Sequence, residues 1–213
     1  MTFKSHMAIL GVAVLAGAGI SSAPFNPVGF GLTTSAHAES AASAGFMKAM
    51  SDMMKNMMMT ATGKPDLDFM QGMLPHHQGA VDMAKVELQH GKDPEMKALA
   101  QDIVKAQEAE IAIIKDWLSK TDASSLVTVQ DSTTANKQAM DSMMNNMMMD
   151  YTGNADADFV KSMIPHHQGA VEMAKVAVQY AKDPVVLKLA QDVIKSQTKE
   201  VDMMNAWLKK QPG

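Results

Sequence analysis

The chain has 213 residues, of which 46% are hydrophobic and 20% are charged, and its formal charge is -4 at neutral pH. These proportions are typical of a globular protein that buries a core, and they exclude a disordered tail. The negative charge and the absence of arginine argue against a nucleic-acid partner, because no guanidinium can grip phosphate or guanine. Cysteine is also absent, which excludes disulfides and thiolate ligands, whereas methionine occurs 23 times.

The N-terminal segment, residues 1–38, has the features of a secretory signal peptide. Lys4 precedes an apolar run, and a small-residue cleavage site of the A-x-A type ends at Ala38. The apolar run is shorter than the roughly 20 residues that a membrane-spanning helix needs. We therefore predict a periplasmic or secreted protein that has no stable membrane insertion after signal removal and starts with a flexible leader over residues 39–45.

A tandem repeat fills most of the remaining chain. Residues 46–120 return ninety positions later as residues 136–210, and about half of the aligned positions are identical. The stretch between the copies, residues 121–135, is rich in Ser, Thr and Asp and is predicted to be a linker. The repeat therefore predicts two equivalent structural units in one chain.

Each repeat is predicted to contain three helical segments. The first is rich in methionine and ends near Gly63, a residue type that commonly terminates helices. The second starts near Asp66, and the third starts at Asp93-Pro94, where aspartate can cap the free amides and proline suits the first helical position. Almost no stretch shows the alternation of a β-strand. We therefore predict an all-α protein, a four-helix bundle of two tandem helical hairpins with additional methionine-rich helices.

The second helix of each repeat carries a histidine pair, in "MLPHHQGAVDMAK" and "MIPHHQGAVEMAK". Helical spacing places Met73, His76 and Met83 on one face, with His77 at the border of that face. Pro75 is costly inside a helix, by about 3 kcal/mol relative to alanine, and the following glycine costs about 1 kcal/mol. Either the helix bends at the proline or a new helix starts there.

The repeated histidine pairs favour a metal site over a duplicated core helix with structural histidines. Imidazole and thioether together suit Cu(I), whereas carboxylate and water suit Mg, Ca or Mn. We expect one coordination centre in each repeat. The candidate ligands are Met73, His76, His77 and Met83 in the first repeat and Met163, His166, His167 and Met173 in the second.

The first helix of each repeat carries a methionine stripe, which is a second candidate metal site. A methionine stripe alone is typical of an adaptable core, but this one contains no Leu, Ile or Val. An alternative is a protein-interaction or chaperone-like module with a methionine-rich apolar surface. The candidate ligands are Met50, Met53, Met54, Met57 and Met58, followed by Met140, Met143, Met144, Met147 and Met148.

Enzymatic chemistry is not indicated by the sequence. Glu87 and His90 spell the Glu-x-x-His pattern of diiron bundles once, but their counterparts are Ala177 and Tyr180. The sequence also offers no nucleophile with an evident base, no Gly-rich phosphate loop and no paired general acids. We therefore predict no catalytic residues and no enzymatic activity.

The histidine motif, followed by K-D-P and by L-A-Q-D-[IV]-[IV]-K-x-Q, resembles a ferritin-like family of secreted helical domains found next to bacterial copper-resistance genes. The resemblance covers both repeats and implies a helical-bundle fold and copper binding in copper resistance. It also implies that the eight motif residues given above are metal ligands. We therefore predict sequestration of Cu(I), with Cu(II) as a second form, Ag(I) as a surrogate, and a copper exporter or sensor as a further partner.

Overall fold

A computed structural model of the chain describes residues 40–58, 61–147 and 149–211. This part of the chain contains α-helices and one 3-10 turn but no β-strand, so the all-α prediction is confirmed. The predicted signal peptide and the candidate ligand Met148 lie outside the described residues. None of the described helices is both long and apolar enough to cross a membrane. The helices are α1 (Ala41–Met57), α2 (Pro65–His90), α3 (Pro94–Lys120), α4 (Gln130–Asn146), α5 (Ala155–Tyr180) and α6 (Pro184–Leu208).

Helix α1 begins earlier than the sequence predicted. Residues 41–45, predicted to be part of a flexible leader, form its first turn, and the side chain of Ser40 accepts a hydrogen bond from the Ser43 amide. Ser43 is buried, and its hydroxyl donates to Asp158 Oδ2 on α5 over 3.1 Å. This contact fixes the first turn to the second repeat, which explains why the segment is helical.

Helix α4 begins inside the predicted linker, residues 121–135. The Val129 amide donates to the carbonyl oxygen of Gly63 over 2.7 Å, which joins the linker to the first repeat. Ser132 then donates its hydroxyl to the Val129 carbonyl over 2.7 Å in the first turn of the helix. The linker is therefore shorter than predicted because its second half is helical.

The turn before the second helix of each repeat is built around an aspartate. Asp68 accepts hydrogen bonds from the amides of Thr62, over 2.8 Å, and Gly63, over 3.1 Å. Asp158 makes the same turn in the second repeat, where it accepts from Gly153 over 3.0 Å. The two glycines have φ angles of 77° and 84°, a region that glycine occupies without steric cost. The turn therefore redirects the chain from the methionine-rich helix to the histidine helix.

Helices α2 and α5 form an antiparallel central pair, with α3 and α1 packed on α2, and α6 and α4 packed on α5. Two reciprocal contacts fix its orientation. Asp156, at the start of α5, accepts from the Asp93 amide beyond the end of α2 over 2.8 Å. Asp66, at the start of α2, accepts from the Asp183 amide over the same distance. The two predicted hairpins are thus related by an approximate twofold axis that passes between α2 and α5.

The proline of each histidine motif lies inside a continuous helix. Helix α2 runs through Pro75 and α5 runs through Pro165, so no new helix starts at either position. The aspartates that precede α3 and α6 act as predicted: the Asp93 side chain accepts from two amides of α3, and Asp183 accepts from two amides of α6. These caps define where α3 and α6 begin in each hairpin. The histidine pairs lie on the long central helices and are buried in the core.

Candidate metal centre

The four motif histidines form one cluster between α2 and α5. His76, His77, His166 and His167 are all fully buried. The ring centroids of His76 and His166 are 3.8 Å apart, and those of the adjacent pairs are 6.5 Å and 5.9 Å apart. The prediction of a separate centre in each repeat is therefore wrong for the imidazoles. The antiparallel central pair brings the same motif position of both repeats to its midpoint, which explains the difference.

Most ring nitrogens of this cluster have no hydrogen-bond partner. His166 Nε2 lies 3.1 Å from the His76 carbonyl oxygen, and His167 Nε2 lies 2.6 Å from Glu200 Oε2. Both nitrogens of His76 and the Nδ1 atoms of His77, His166 and His167 are buried without a partner among the residues that the structure describes. Buried polar atoms are nearly always paired, so these nitrogens are the strongest candidate ligand atoms in the molecule.

Burial also controls the protonation of the central histidines. It lowers the pKa values of His76 and His166 well below the ordinary value, and the neighbouring imidazoles lower them further. Both side chains are therefore neutral at neutral pH. Neutral imidazole is the form that binds a metal ion, so no proton has to be removed from these two rings.

Two carboxylates on the outer helices reach the histidine cluster. Glu110 on α3 places Oε2 at 2.7 Å from His77 Nε2, and Glu200 on α6 places Oε2 at 2.6 Å from His167 Nε2. Each carboxylate side chain is 16% exposed, whereas the imidazoles it contacts are fully buried. The two contacts, which were not predicted from the sequence, join the outer helices to the central cluster.

Two glutamines lie one helical turn before these carboxylates. Gln107 and Gln197 are buried, and neither amide atom of Gln107 has a hydrogen-bond partner within the described part of the chain. A signal for all four polar residues is present in the sequence. Gln107 and Glu110 follow the helical spacing of the apolar face of α3, and the same residue types recur ninety positions later. A repeated polar pair on an otherwise apolar face indicates a buried polar layer.

Two methionines pack directly on the glycines of the histidine motifs. A Cβ atom added to Gly79 would lie 2.9 Å from Met53 Sδ, and one added to Gly169 would lie 2.9 Å from Met143 Sδ. Each glycine thus allows a thioether to approach the helix backbone two residues after a histidine pair. This close approach explains why glycine occupies both positions, although glycine costs about 1 kcal/mol in a helix interior relative to alanine.

Replacing Gly169 with alanine is expected to destabilise the protein. The new methyl group would lie 2.5 Å from Met143 Cγ, and such overpacking costs about 1–3 kcal/mol, which outweighs the helix propensity gained. Urea denaturation should show a lower midpoint for this variant. Gly72→Ala is the matched control because its methyl group would meet only the flexible end of Met173, so it should leave the midpoint unchanged or raise it. Equal midpoints for Gly169→Ala and the wild type would contradict the packing argument.

Several other candidate methionines, together with Met47 and Met149, surround two openings. The first has a volume of about 300 Å³ and the second a volume of about 340 Å³. In each opening, methionines of α1 meet methionines of α4, so thioethers of both repeats are brought together. Met57, Met140 and Met173 line the first opening, and Met47, Met50, Met54, Met144, Met147 and Met149 line the second.

The remaining predicted ligands are not brought to these openings. Met73, Met83 and Met163 are fully buried core residues, and Met58 is 85% exposed. Within the described residues, no group of three His, Asp or Glu side chains is arranged to hold one ion. The structure therefore offers paired imidazoles and separate thioether groups as ligands.

A known protein family matches the chain over α3, α5, α6 and all of α2 except its first residue. Residues 66–208 match the protein family described as a domain of unknown function, DUF305. The chain belongs to the DUF305 family. The matched stretch contains both histidine motifs and α4, and it leaves α1 outside. The methionines of α1 are thus a feature of this chain beyond the matched DUF305 region.

Solved structures of CopM are similar to this DUF305 chain over most of its length. A silver-bound form is 34% identical, with a TM-score of 0.55, and the match covers 73% of this chain and 100% of that one. A Cu(I)-bound form is also 34% identical, with a TM-score of 0.54 and coverages of 70% and 98%. The repeated motif predicted a resemblance to a family of copper-related helical domains, and the similarity to CopM confirms this prediction.

Two further relatives add less to the functional argument. A DUF305 fragment from Deinococcus radiodurans is 23% identical, with a TM-score of 0.52 and coverages of 69% of this chain and 97% of that one, which supports the fold alone. The uncharacterized protein L153 of Acanthamoeba polyphaga mimivirus is 43% identical over 53 residues. That match covers 25% of this chain and 35% of the viral protein, so this chain spans about a third of its length.

One buried carboxyl breaks the symmetry of the DUF305 repeats. Glu87 is fully buried near the end of α2, and its counterpart in α5 is Ala177. Burial, together with the neighbouring Asp156, raises the pKa of Glu87 to about 8. Glu87 is therefore neutral at pH 7, which does not favour a role as the carboxylate ligand of a diiron centre.

Glu87→Gln is expected to stabilise the protein at alkaline pH. An unfolded carboxyl loses its proton near pH 4.5, whereas folded Glu87 keeps it up to about pH 8, so the contribution of Glu87 to stability has a negative slope between these pH values. The glutamine variant removes this slope. Thermal unfolding at pH 5 and pH 8.5 would measure it, with Glu108→Gln on the exposed surface of α3 as the control. A pH dependence of Glu87→Gln equal to that of the wild type would contradict the assignment.

Proposed function

We propose that this protein binds and sequesters Cu(I) in the periplasm or outside the cell and so contributes to copper homeostasis and resistance. One observation carries the proposal: a buried cluster of four imidazoles whose nitrogens mostly lack hydrogen-bond partners. Burying an imidazole nitrogen without a hydrogen-bond partner or a bound metal ion costs free energy. Coordination of a metal ion would compensate for this cost. CopM, which has been solved with silver, Cu(I) and Cu(II), supports the choice of ion.

The chemistry of the ligand set favours a soft monovalent ion. Thioether sulfur is neutral and competes poorly for hard, highly charged ions, whereas it suits Cu(I) and its surrogate Ag(I). The central imidazoles His76 and His166 are neutral as well, because burial lowers their pKa values. Imidazole nitrogen also accepts Cu(II), so the histidine cluster can serve as the site for the oxidised ion.

Two kinds of site differ in their access to solvent. The histidine cluster is fully buried, whereas both methionine-lined openings reach the surface between α1 and α4. The sulfur atoms of Met53 and Met143 pack on the motif glycines, two residues after a histidine pair. We assign capture of copper to the open thioether sites and tighter retention to the buried imidazoles. A copper exporter or sensor is the partner that would receive the ion, and no catalytic role is proposed.

Titration with Cu(I) under anaerobic, reducing conditions tests this function. Native mass spectrometry should show several bound copper ions per chain, and a large excess of Zn(II) should not displace them. Ag(I) should fill the same sites. A protein that stays free of metal when it is offered Cu(I) or Ag(I) would refute the proposal.

A protein-interaction module is the second candidate function. The opening of about 340 Å³ presents six methionine side chains, and flexible methionine surfaces suit promiscuous binding of apolar segments. Met50→Leu combined with Met144→Leu distinguishes the two functions. The substitution keeps the apolar volume but removes the sulfur, so it should weaken Cu(I) and Ag(I) binding and preserve binding of an apolar peptide.

A further inference from the structure

The contact partners of three histidines determine which ring nitrogen carries the proton. His167 Nε2 lies 2.6 Å from Glu200 Oε2 in hydrogen-bond geometry, and His166 Nε2 lies 3.1 Å from the His76 carbonyl oxygen. A carboxylate and a carbonyl oxygen accept hydrogen bonds, so each of these Nε2 atoms is the donor. A neutral imidazole has one N–H group, and its lone pair is then on Nδ1.

The first repeat has the same arrangement with a less well aligned contact. His77 Nε2 lies 2.7 Å from Glu110 Oε2, but the angle at the N–H group falls outside hydrogen-bond geometry. The two carboxylates occupy equivalent positions in the repeats, and their contacts differ in length by only 0.1 Å. The first pair therefore brings together the same two atoms as the second pair does.

Among the described residues, each of these two carboxylates has a histidine as its only ion-pair partner. Within the described residues, neither Glu110 nor Glu200 has a lysine within ion-pair distance, whereas Glu108 on the surface of α3 pairs with Lys85 over 3.1 Å. The Nδ1 atoms of His77 and His167 are buried and have no partner. A carboxylate on one ring nitrogen and an orphaned lone pair on the other is the arrangement found around metal-bound histidines.

We propose that Glu110 and Glu200 are positioning residues that hold His77 and His167 with the proton on Nε2, so that Nδ1 is the atom that binds Cu(I). The His76 carbonyl does the same for His166. This inference rests on the proposed function. It assigns three preset ligand atoms, one on each of His77, His166 and His167, and leaves His76 free to present either nitrogen.

The tautomers of the metal-free protein give a test that needs no variant. Two-dimensional NMR of ¹⁵N-labelled histidine distinguishes a protonated Nε2 from a protonated Nδ1. We expect His77, His166 and His167 to show a protonated Nε2, and His90, which lies outside the cluster, to serve as an internal reference. A protonated Nδ1 on His77 or His167 would overturn the inference even if the protein binds copper.

Variants at the carboxylates test the consequence for copper. The double variant Glu110→Ala and Glu200→Ala should bind Cu(I) about 10–100-fold more weakly at the imidazole sites, as loss of such outer partners typically does. The corresponding glutamine variant keeps an oxygen acceptor and should recover most of this loss. Glu108→Gln is the matched control on α3 and should bind as the wild type does.

The outcomes separate this inference from the proposed function. A wild type that binds no Cu(I) refutes copper sequestration, whatever its tautomers are. A wild type that binds Cu(I), together with an alanine double variant of normal helical content and unchanged affinity, refutes the positioning role alone. Nitrogen shifts in the Ag(I)-loaded protein complete the test, since they should change most at Nδ1, and a change at Nε2 instead would also refute it.

Discussion

Replacing His76, His77, His166 and His167 together with leucine is expected to abolish the tightest copper binding. The substitution removes every imidazole of the cluster, so affinity at this site should fall by more than the roughly 100-fold that loss of an outer-shell partner costs. The thioether sites should remain. Native mass spectrometry with a competing Cu(I) chelator would measure both the number of bound ions and their affinity.

This variant is expected to fold. Most of the ring nitrogens have no protein partner, so their removal leaves few hydrogen-bonding groups unsatisfied. The two carboxylates that lose an imidazole are partly exposed and can be hydrated. Circular dichroism should therefore show normal helical content, and His90→Leu provides a control outside the cluster. Unchanged copper stoichiometry and affinity in the quadruple variant would refute the histidine site.

The metal-free protein is expected to lose stability steeply as the pH falls below about 6.5. The folded pKa values of His76 and His166 lie well below the unfolded value, so the unfolded state binds more protons in this range. The contribution of these two histidines to stability is therefore fully present above pH 6.5 and decreases toward the lower folded pKa values. Two such histidines give a slope of up to about 3 kcal/mol per pH unit.

Urea denaturation of the metal-free protein at pH 7, 6 and 5 would measure this slope. The double variant His76→Leu and His166→Leu should have a much smaller slope, whereas His90→Leu should keep the wild-type slope. Saturating Ag(I) should shift the transition of the wild type to lower pH, because an ion bound only by the folded state stabilises it. Equal slopes in the wild type and the double variant would show that other groups cause acid unfolding.

Local signals made most of the fold predictable from the sequence. Aspartate followed by proline at 93–94 marks the start of α3, and the aspartate side chain caps that helix as the residue types indicate. The repeat length predicted the equivalence of the two hairpins. Helix α1 was harder to delimit because its first turn depends on the contact of Ser43 with Asp158, which is distant in sequence.

The sequence indicated the residue types of the candidate site but not their arrangement. The doubled histidine pair supplies all four imidazoles of the buried cluster, and several methionines of the two stripes line the openings. The contact of His76 with His166 depends on how α2 and α5 cross, and no local pattern encodes that crossing. Glu110 lies in the apolar spacing of α3, but its contact with His77 depends on how α3 packs on α2, which no local pattern encodes.

The position of the imidazole cluster on the approximate twofold axis has a consequence for assembly. A chain with a single repeat would contribute only one histidine pair and would complete the cluster only by dimerising with another copy. The concentration of such a dimer would fall steeply on dilution, as in any bimolecular association. Joining both halves in one polypeptide makes the encounter intramolecular, with a high effective concentration. The duplicated chain is thus a covalently tethered dimer whose shared cluster persists at any protein concentration.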